Sequence, residues 1–241
     1  MDEQLLGLPR EEIVFQRMRD FHLQRVSNVE NADAPLQQRE GGILVLHLIP
    51  ESCIFSRTSL DGGTLKEQGT RIRPLGDRGG NTRFNVDGFL NYSGYEKVRA
   101  YSQLFRDGRL EAVMSDVGYP VDRQAEKSPY AIRCGLTERS VFEVVHDYLK
   151  FCEVVKFEPP VWLFSALVDC KGFRMMTDRR FGDLSEKAVD RSPAVLPELA
   201  ITNFDFEPQQ LLQPWCDLFW QSSGIERSYN YDQEGNWHAP R

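Results

Sequence analysis

Arg99 to Arg106 and Arg109 to Asp116 are two strand-like runs separated by Asp107-Gly108. That dipeptide tolerates the positive φ angles of a type I′ turn, so the spacing predicts a β-hairpin and commits the chain to at least one antiparallel strand pair. Tyr101, Gln103 and Phe105 alternate with Ser102, Leu104 and Arg106, which sends the two sets to opposite faces. Two apolar runs, Ile43 to Ile49 and Val161 to Val168, have strand length without a polar face, as expected of strands covered on both sides. Pro50 stops the first. After the second, Asp169 to Lys171 reads as a turn, with Gly172 to Met176 as the hairpin partner. Shorter strands are expected from Arg83 to Tyr92, broken near Asp87-Gly88, and around Leu199, Ile201 and Phe204.

Helical periodicity appears three times. From Glu11 to Val26, Ile13, Val14, Met18 and Phe21 form an apolar stripe, and Arg17, Arg19 and Arg25 make the other side basic. Thr137 is a candidate cap for a helix in which Val141, Val144, Val145, Tyr148, Leu149, Cys152 and Val155 keep i, i+3, i+4 spacing. Pro208 opens a third helix, with Leu211, Leu212, Trp215 and Phe219 on one face, a kink expected at Pro214 and a stop at Gly224. Between them, residues 52–82 are rich in glycine and arginine and read as one long loop. Helices that do not alternate regularly with strands predict an α+β fold, a single mixed, largely antiparallel sheet with helices packed on it. No linker divides the 241 residues, so one domain is expected, with the helix 11–26 as its N-terminal connector.

The charge is uneven. The chain has 29 Lys and Arg against 36 Asp and Glu, a net charge of -7, and residues 111–241 carry all of it because 1–110 balance. Such a surface opposes broad wrapping of nucleic acid but leaves room for a small basic face on the N-terminal half. Met1 to Arg10 holds Asp2, Glu3 and Pro9 rather than the basic start and apolar core of a signal peptide, and no apolar run approaches the ~20 residues that span a bilayer. A cytoplasmic protein without membrane attachment is expected. Five cysteines, Cys53, Cys134, Cys152, Cys170 and Cys216, are widely spaced without a C-x-x-C pair and read as buried thiols, so neither a metal nor a cofactor is expected.

Motifs for phosphate loops, dinucleotide binding, serine hydrolases and zinc proteases are absent from the sequence. Two segments still suggest chemistry. Arg71, Arg73, Arg78 and Arg83 among glycines could cradle an anion, since glycine lets backbone N–H groups approach and arginine donates in pairs; the alternative is a solvated loop whose arginines offset Glu67 and Asp77. Asp169-Cys170-Lys171 at a strand end has the acid-x-Lys pattern of metal-dependent nucleases, which would require a second carboxylate such as Glu143, Asp147 or Glu158. His47 lies within an apolar strand, where a lone histidine usually donates to a neighbouring carbonyl, and none of His22, His146 and His238 has a serine or cysteine in local register. The aromatic tail with Tyr229, Tyr231 and Trp237 reads as a cover for the sheet or for a partner.

Several phrases occur in one order: Leu44 to Ser52, Arg83 to Gly88, Leu104 to Glu111, and the ending Trp220 to Trp237 with Ser228-Tyr229-Asn230-Tyr231 and Gly235-Asn236-Trp237. Together, from about Arg17 to Trp237, the chain resembles the C-terminal region of bacterial proteins that carry an N-terminal Schlafen AlbA-type domain and are described as DNA-binding or ATP-binding. The AlbA-type domain bears that label and is not in this sequence. The resemblance therefore implies an accessory half, either working with a separately encoded partner or belonging to a truncated gene, and it transfers no catalytic residue. The expectation is a regulatory module of a nucleic-acid-associated bacterial system, more a binding protein than an enzyme, acting through a partner protein that carries a nucleic-acid-binding domain. Arg17, Arg19, Arg25, Arg71, Arg73, Arg78 and Arg83 are the candidate nucleic-acid or anion contacts. The alternatives are a nuclease centred on Asp169 and Lys171, and a nucleotide or phosphate sensor using the Gly/Arg loop.

Overall fold

The computed structural model describes residues 9–55, 59–122, 124, 128–178, 183–205 and 207–238. The elements in chain order are α1 (Arg10–Glu30), β1 (Ile43–Pro50), α2 (Gly62–Arg71), β2 (Asn81–Phe84), β3 (Gly88–Gly94), β4 (Val98–Phe105), β5 (Leu110–Ser115), β6 (Gly118–Pro120) and β7 (Tyr130–Ile132). There follow α3 (Cys134–Val155), β8 (Val161–Val168), β9 (Arg174–Asp178), β10 (Asp183–Leu184), β11 (Ala194–Ile201), α4 (Pro208–Leu211) and α5 (Gln213–Gln221). The fold is α+β. Its main sheet has seven strands in the order β11-β8-β1-β5-β4-β3-β2, every neighbouring pair antiparallel. The mixed character resides in a second sheet, β10-β9-β7-β6, where β7 and β9 run parallel.

The two apolar runs become the sheet's centre, β1 pairing with β8 over the whole of its length. Leu44, Leu46 and Leu48 face the large core under α3 and α5, while Val45 and His47 face α1. Helix α1 lies on β8 and β1 through Val14, Met18, His22, Val26 and Val29, a stripe that continues past the expected Val26 to Glu30. Helix α3 buries its predicted positions from Val141 to Cys152 but begins at Cys134 rather than at Thr137, whose hydroxyl instead donates back to Arg133 O. The third helix is two, with Pro214 in the first turn of α5, where its missing N–H removes no intrahelical bond.

Three local expectations change. The β4–β5 turn closes with Gly108 N–H on Phe105 O (3.0 Å); only Gly108 takes positive φ (+96°), because the Asp107 side chain accepts from Arg109 N–H and keeps its own backbone on the ordinary side. This is a turn around Arg106-Asp107 followed by a glycine, not the type I′ form. Residues 52–82 are not one loop. Asp61 accepts from the N–H groups of Gly63 and Thr64 and so caps α2, Leu65 is buried, and Gly69 packs so close to Phe89 that a Cβ would stand 2.5 Å from its ring. Beyond α2 the segment is tied to the sheet by Asn91 Nδ2 on Ile72 O (3.1 Å) and Ser102 Oγ on Arg73 O (2.7 Å). Finally, residues 172–176 do not pair with β8. Asp169 and Gly172 at positive φ redirect the chain into β9 of the second sheet, and β8 pairs with β11, which is irregular between Leu196 and Leu199.

Gly88 opens β3 directly over Leu104, where a Cβ would lie 2.0 Å from the carbonyl oxygen. Gly88→Ala must push β3 and β4 apart, and we expect a loss of about 2 kcal/mol or more by urea denaturation. Gly62→Ala, where a Cβ meets nothing within 4 Å, should leave stability unchanged or raised.

Candidate functional site

The strongest concentration of buried charge lies between α1 and the main sheet. Register places Gln103, Glu111, His47 and Phe164 in one row across β4, β5, β1 and β8. Glu111 is fully buried and each of its oxygens accepts twice. Oε1 takes Arg25 Nη2 (2.6 Å) and Tyr101 Oη (2.7 Å), and Oε2 takes Arg25 Nε (2.7 Å) and His47 Nε2 (3.0 Å). Burial raises the pKa of Glu111, but the Arg25 and His47 hydrogen bonds outweigh it and hold the carboxyl at about 2. An ionised Glu111 only accepts, so His47 donates through Nε2. Its Nδ1, 2.8 Å from His22 Nδ1, then accepts from that ring. Burial pushes both histidines down, His22 to about 2 with His47 adding to the effect, and His47 despite the pull of Glu111. His22 Nε2 and both polar atoms of the Gln103 side chain have no partner among the described residues.

The seven arginines do not converge on one patch. Arg25, assigned above to the basic side of the helix, is withdrawn to 13% side-chain exposure by its two bonds to Glu111. Arg71 pairs with Glu67 on α2, and Arg73 is held by Asp147 (2.6 Å) and Glu143 (3.3 Å) of α3, whose hydrogen bonds and charges raise its pKa. Arg17 lies over the Phe55 ring at 5.1 Å, and Arg19 and Arg78 are exposed. Arg83 donates to Pro35 O from β2, the outermost strand. Since α1 covers β8 and β1, four strand spacings separate it from β2, roughly 19 Å.

Asp169 and Lys171 occupy an exposed turn in which Asp169 N–H donates to Ser192 Oγ. Asp147 and Glu143 are engaged with Arg73, and among the described residues no group of three or more His, Cys, Asp or Glu is placed to hold a metal ion. Among the described residues Asp169 therefore belongs to no three-ligand cluster. All five cysteines are buried and unpaired, and burial raises every thiol, Cys53 and Cys170 to about 12. They are poor nucleophiles at neutral pH.

The tail is fastened by a second buried carboxylate. Glu138 of α3 accepts Trp220 Nε1 and Ser228 Oγ at Oε1, and Asn230 Nδ2 and Trp237 Nε1 at Oε2, all at 2.7 Å. The aromatic tail thus covers its own domain. Close by, a small cavity of about 90 Å³ lies at the start of α3, between Arg133, Tyr119, Thr177 and Asn230.

Two concavities flank the first half of α1. One cleft of about 640 Å³ runs between α1 and β8, with Val14, Phe15, Met18 and Trp162 as apolar lining and Glu11, Glu12 and Glu51 around them. A second, of about 380 Å³, shares Glu11, Val14 and Glu51 with it and extends over Pro159 and Pro160 to Glu158 and Phe55. The Trp162 indole stands edge-on to Phe15 (5.2 Å) and donates to Glu51 Oε2 (3.3 Å). Sequence reading missed this surface because it joins three segments, 10–19, 51–55 and 158–162; a tryptophan inside a strand that is otherwise fully buried was its one local signal.

Comparison with protein-family models, with curated proteins and with solved structures found no match to the chain. Among the described residues no helix is long and apolar enough to cross a membrane.

The buried network gives stability a defined pH dependence. His22 and His47 stay neutral in the folded chain well below 6.5, while the unfolded chain protonates them there; Glu111 stays ionised down to about 2, while the unfolded chain protonates it near 4.5. In both windows the unfolded state binds more protons, so stability is complete above about pH 6.5 and falls continuously on acidification. Urea denaturation from pH 7.5 to 3 should show this decline. His22→Gln should flatten it by about one proton between pH 7 and 5 and leave the fall below 4.5 intact.

Proposed function

We propose that this chain is a non-catalytic accessory module, cytoplasmic, that acts through a partner protein of a nucleic-acid-associated bacterial system. Nucleic-acid association rests on the likeness to the C-terminal region of Schlafen AlbA-type proteins. The binding-module reading is supported by one observation, the consumption of reactive groups by the fold itself. Glu111, His47, His22, Glu138 and the cysteines are internal, three of the seven candidate arginines are neutralised by carboxylates, and the cleft between α1 and β8 has an apolar floor with Glu11, Glu12 and Glu51 around it. A surface of that kind suits protein and disfavours direct contact with a polyanion.

Fluorescence anisotropy with labelled single-stranded DNA, duplex DNA and RNA tests this directly. At physiological salt, binding should be no tighter than non-specific association, Kd on the order of 10⁻⁵ M, and incubation with Mg²⁺ or Mn²⁺ should leave the strands intact. Sub-micromolar affinity with a steep salt dependence would refute the partner-mediated reading, and cleavage abolished by Asp169→Asn would establish the nuclease in its place.

A further inference from the structure

We infer that the paired clefts beside the first half of α1 receive a basic, amphipathic segment of the partner protein, one with apolar anchors flanked by Lys or Arg. This rests on the accessory-module reading and names the chemistry of the partner. The first support is geometric. A helix is about 10 Å across and covers about two strands, and α1 spans β8 and β1 of a seven-stranded sheet. On the side of β4 and β5 the same face is closed by the 31–42 segment, whose Ala34 and Leu36 pack against the cluster that includes Val98, Tyr101 and Val113. Toward β11 it is left open. Val195, opposite Ala166, is 41% exposed, and Trp162, opposite Ala200, is half-buried. At the mouth of the larger cleft the half-buried Phe15 and Trp162 therefore keep apolar surface in contact with water, and covering it releases that water.

Charge fixes the character of the occupant. Glu11, Glu12, Glu51 and Glu158 border the clefts, against Arg10 and Arg19. Among the described residues none of the four carboxylates makes an ion pair. Arg10 and Arg17 rest over the Phe55 ring (5.2 and 5.1 Å) and make no ion pair with these carboxylates. Among the described residues the four carboxylates outnumber the guanidinium groups of Arg10, Arg17 and Arg19, so the rim carries a small net negative charge around an apolar floor. An acidic or phosphorylated segment would meet like charge there, whereas lysines or arginines at a helical spacing from leucine-like anchors satisfy both parts of the surface.

The test uses the full chain, ¹⁵N-labelled, titrated with three synthetic peptides: an amphipathic Leu/Lys helix, its Leu/Glu counterpart, and a Ser/Lys peptide without anchors. The Leu/Lys peptide should shift the Trp162 indole and the amides of 11–19 and 51–55; the other two should not. The triple variant Glu11→Gln, Glu12→Gln, Glu158→Gln alters only exposed side chains and should weaken binding at least fivefold. A control triple of exposed carboxylates that line neither cleft, Glu186→Gln, Glu207→Gln, Glu226→Gln, should retain it. Absence of Leu/Lys binding, shifts that map elsewhere, or equal weakening by both triples would overturn the inference while leaving the accessory-module reading in place. Single-stranded DNA added to the same sample separates the two, because DNA shifting the Trp162 indole in place of the peptide would overturn both.

Discussion

Glu111 puts a negative charge in the middle of a sheet that is covered on both faces. Removing a carboxylate from water costs several kcal/mol even after the surroundings relax, and the sheet offers only a histidine and a tyrosine in return. The missing cation comes from α1, 86 residues away, as the two-pronged guanidinium of Arg25. A bidentate pair has one good geometry. It fixes the rotation of α1 about its axis and its position along β1 and β8, and apolar packing through Val14, Met18 and Val26 alone would allow more sliding. The clefts at the other end of the same helix depend on the position that this contact helps to fix.

The histidine pair extends this constraint without adding charge. His47 links Glu111 to His22, so a second residue of α1 is tied to the sheet three positions before Arg25. Both rings are neutral because burial opposes protonation more than Glu111 favours it. The network is polar scaffolding for a helix–sheet junction, and it explains why a charged hairpin residue opposite Gln103 sits where a leucine would normally be.

What could be read from the amino-acid order follows the range of each interaction. The α3 face, the apolar strands and the Asp107-Gly108 reversal are governed by neighbours within a few residues, and each was legible. Helix α2 was hidden because its glycines suppress helical propensity and its stability comes from the Asp61 cap and from Leu65 and Gly69 seated against β3. The pairing of β8 with β11 was hidden because 169–176 has the local look of a hairpin while the true partner begins at Ala194. The charged residues were the least legible. Arg25 and Arg73 read as open basic groups because the carboxylates that hold them, Glu111 and Asp147, are more than seventy positions away.

Glu138 carries this dependence on distance to the far end of the chain. Its four donors lie 82, 90, 92 and 99 residues downstream. On a ribosome, which releases the polypeptide from the N-terminus, α3 emerges long before Trp220 and Trp237 exist to meet it. The carboxylate must stay hydrated until they arrive, so this part of the core under the sheet closes only once the segment from Trp220 to Trp237 has docked.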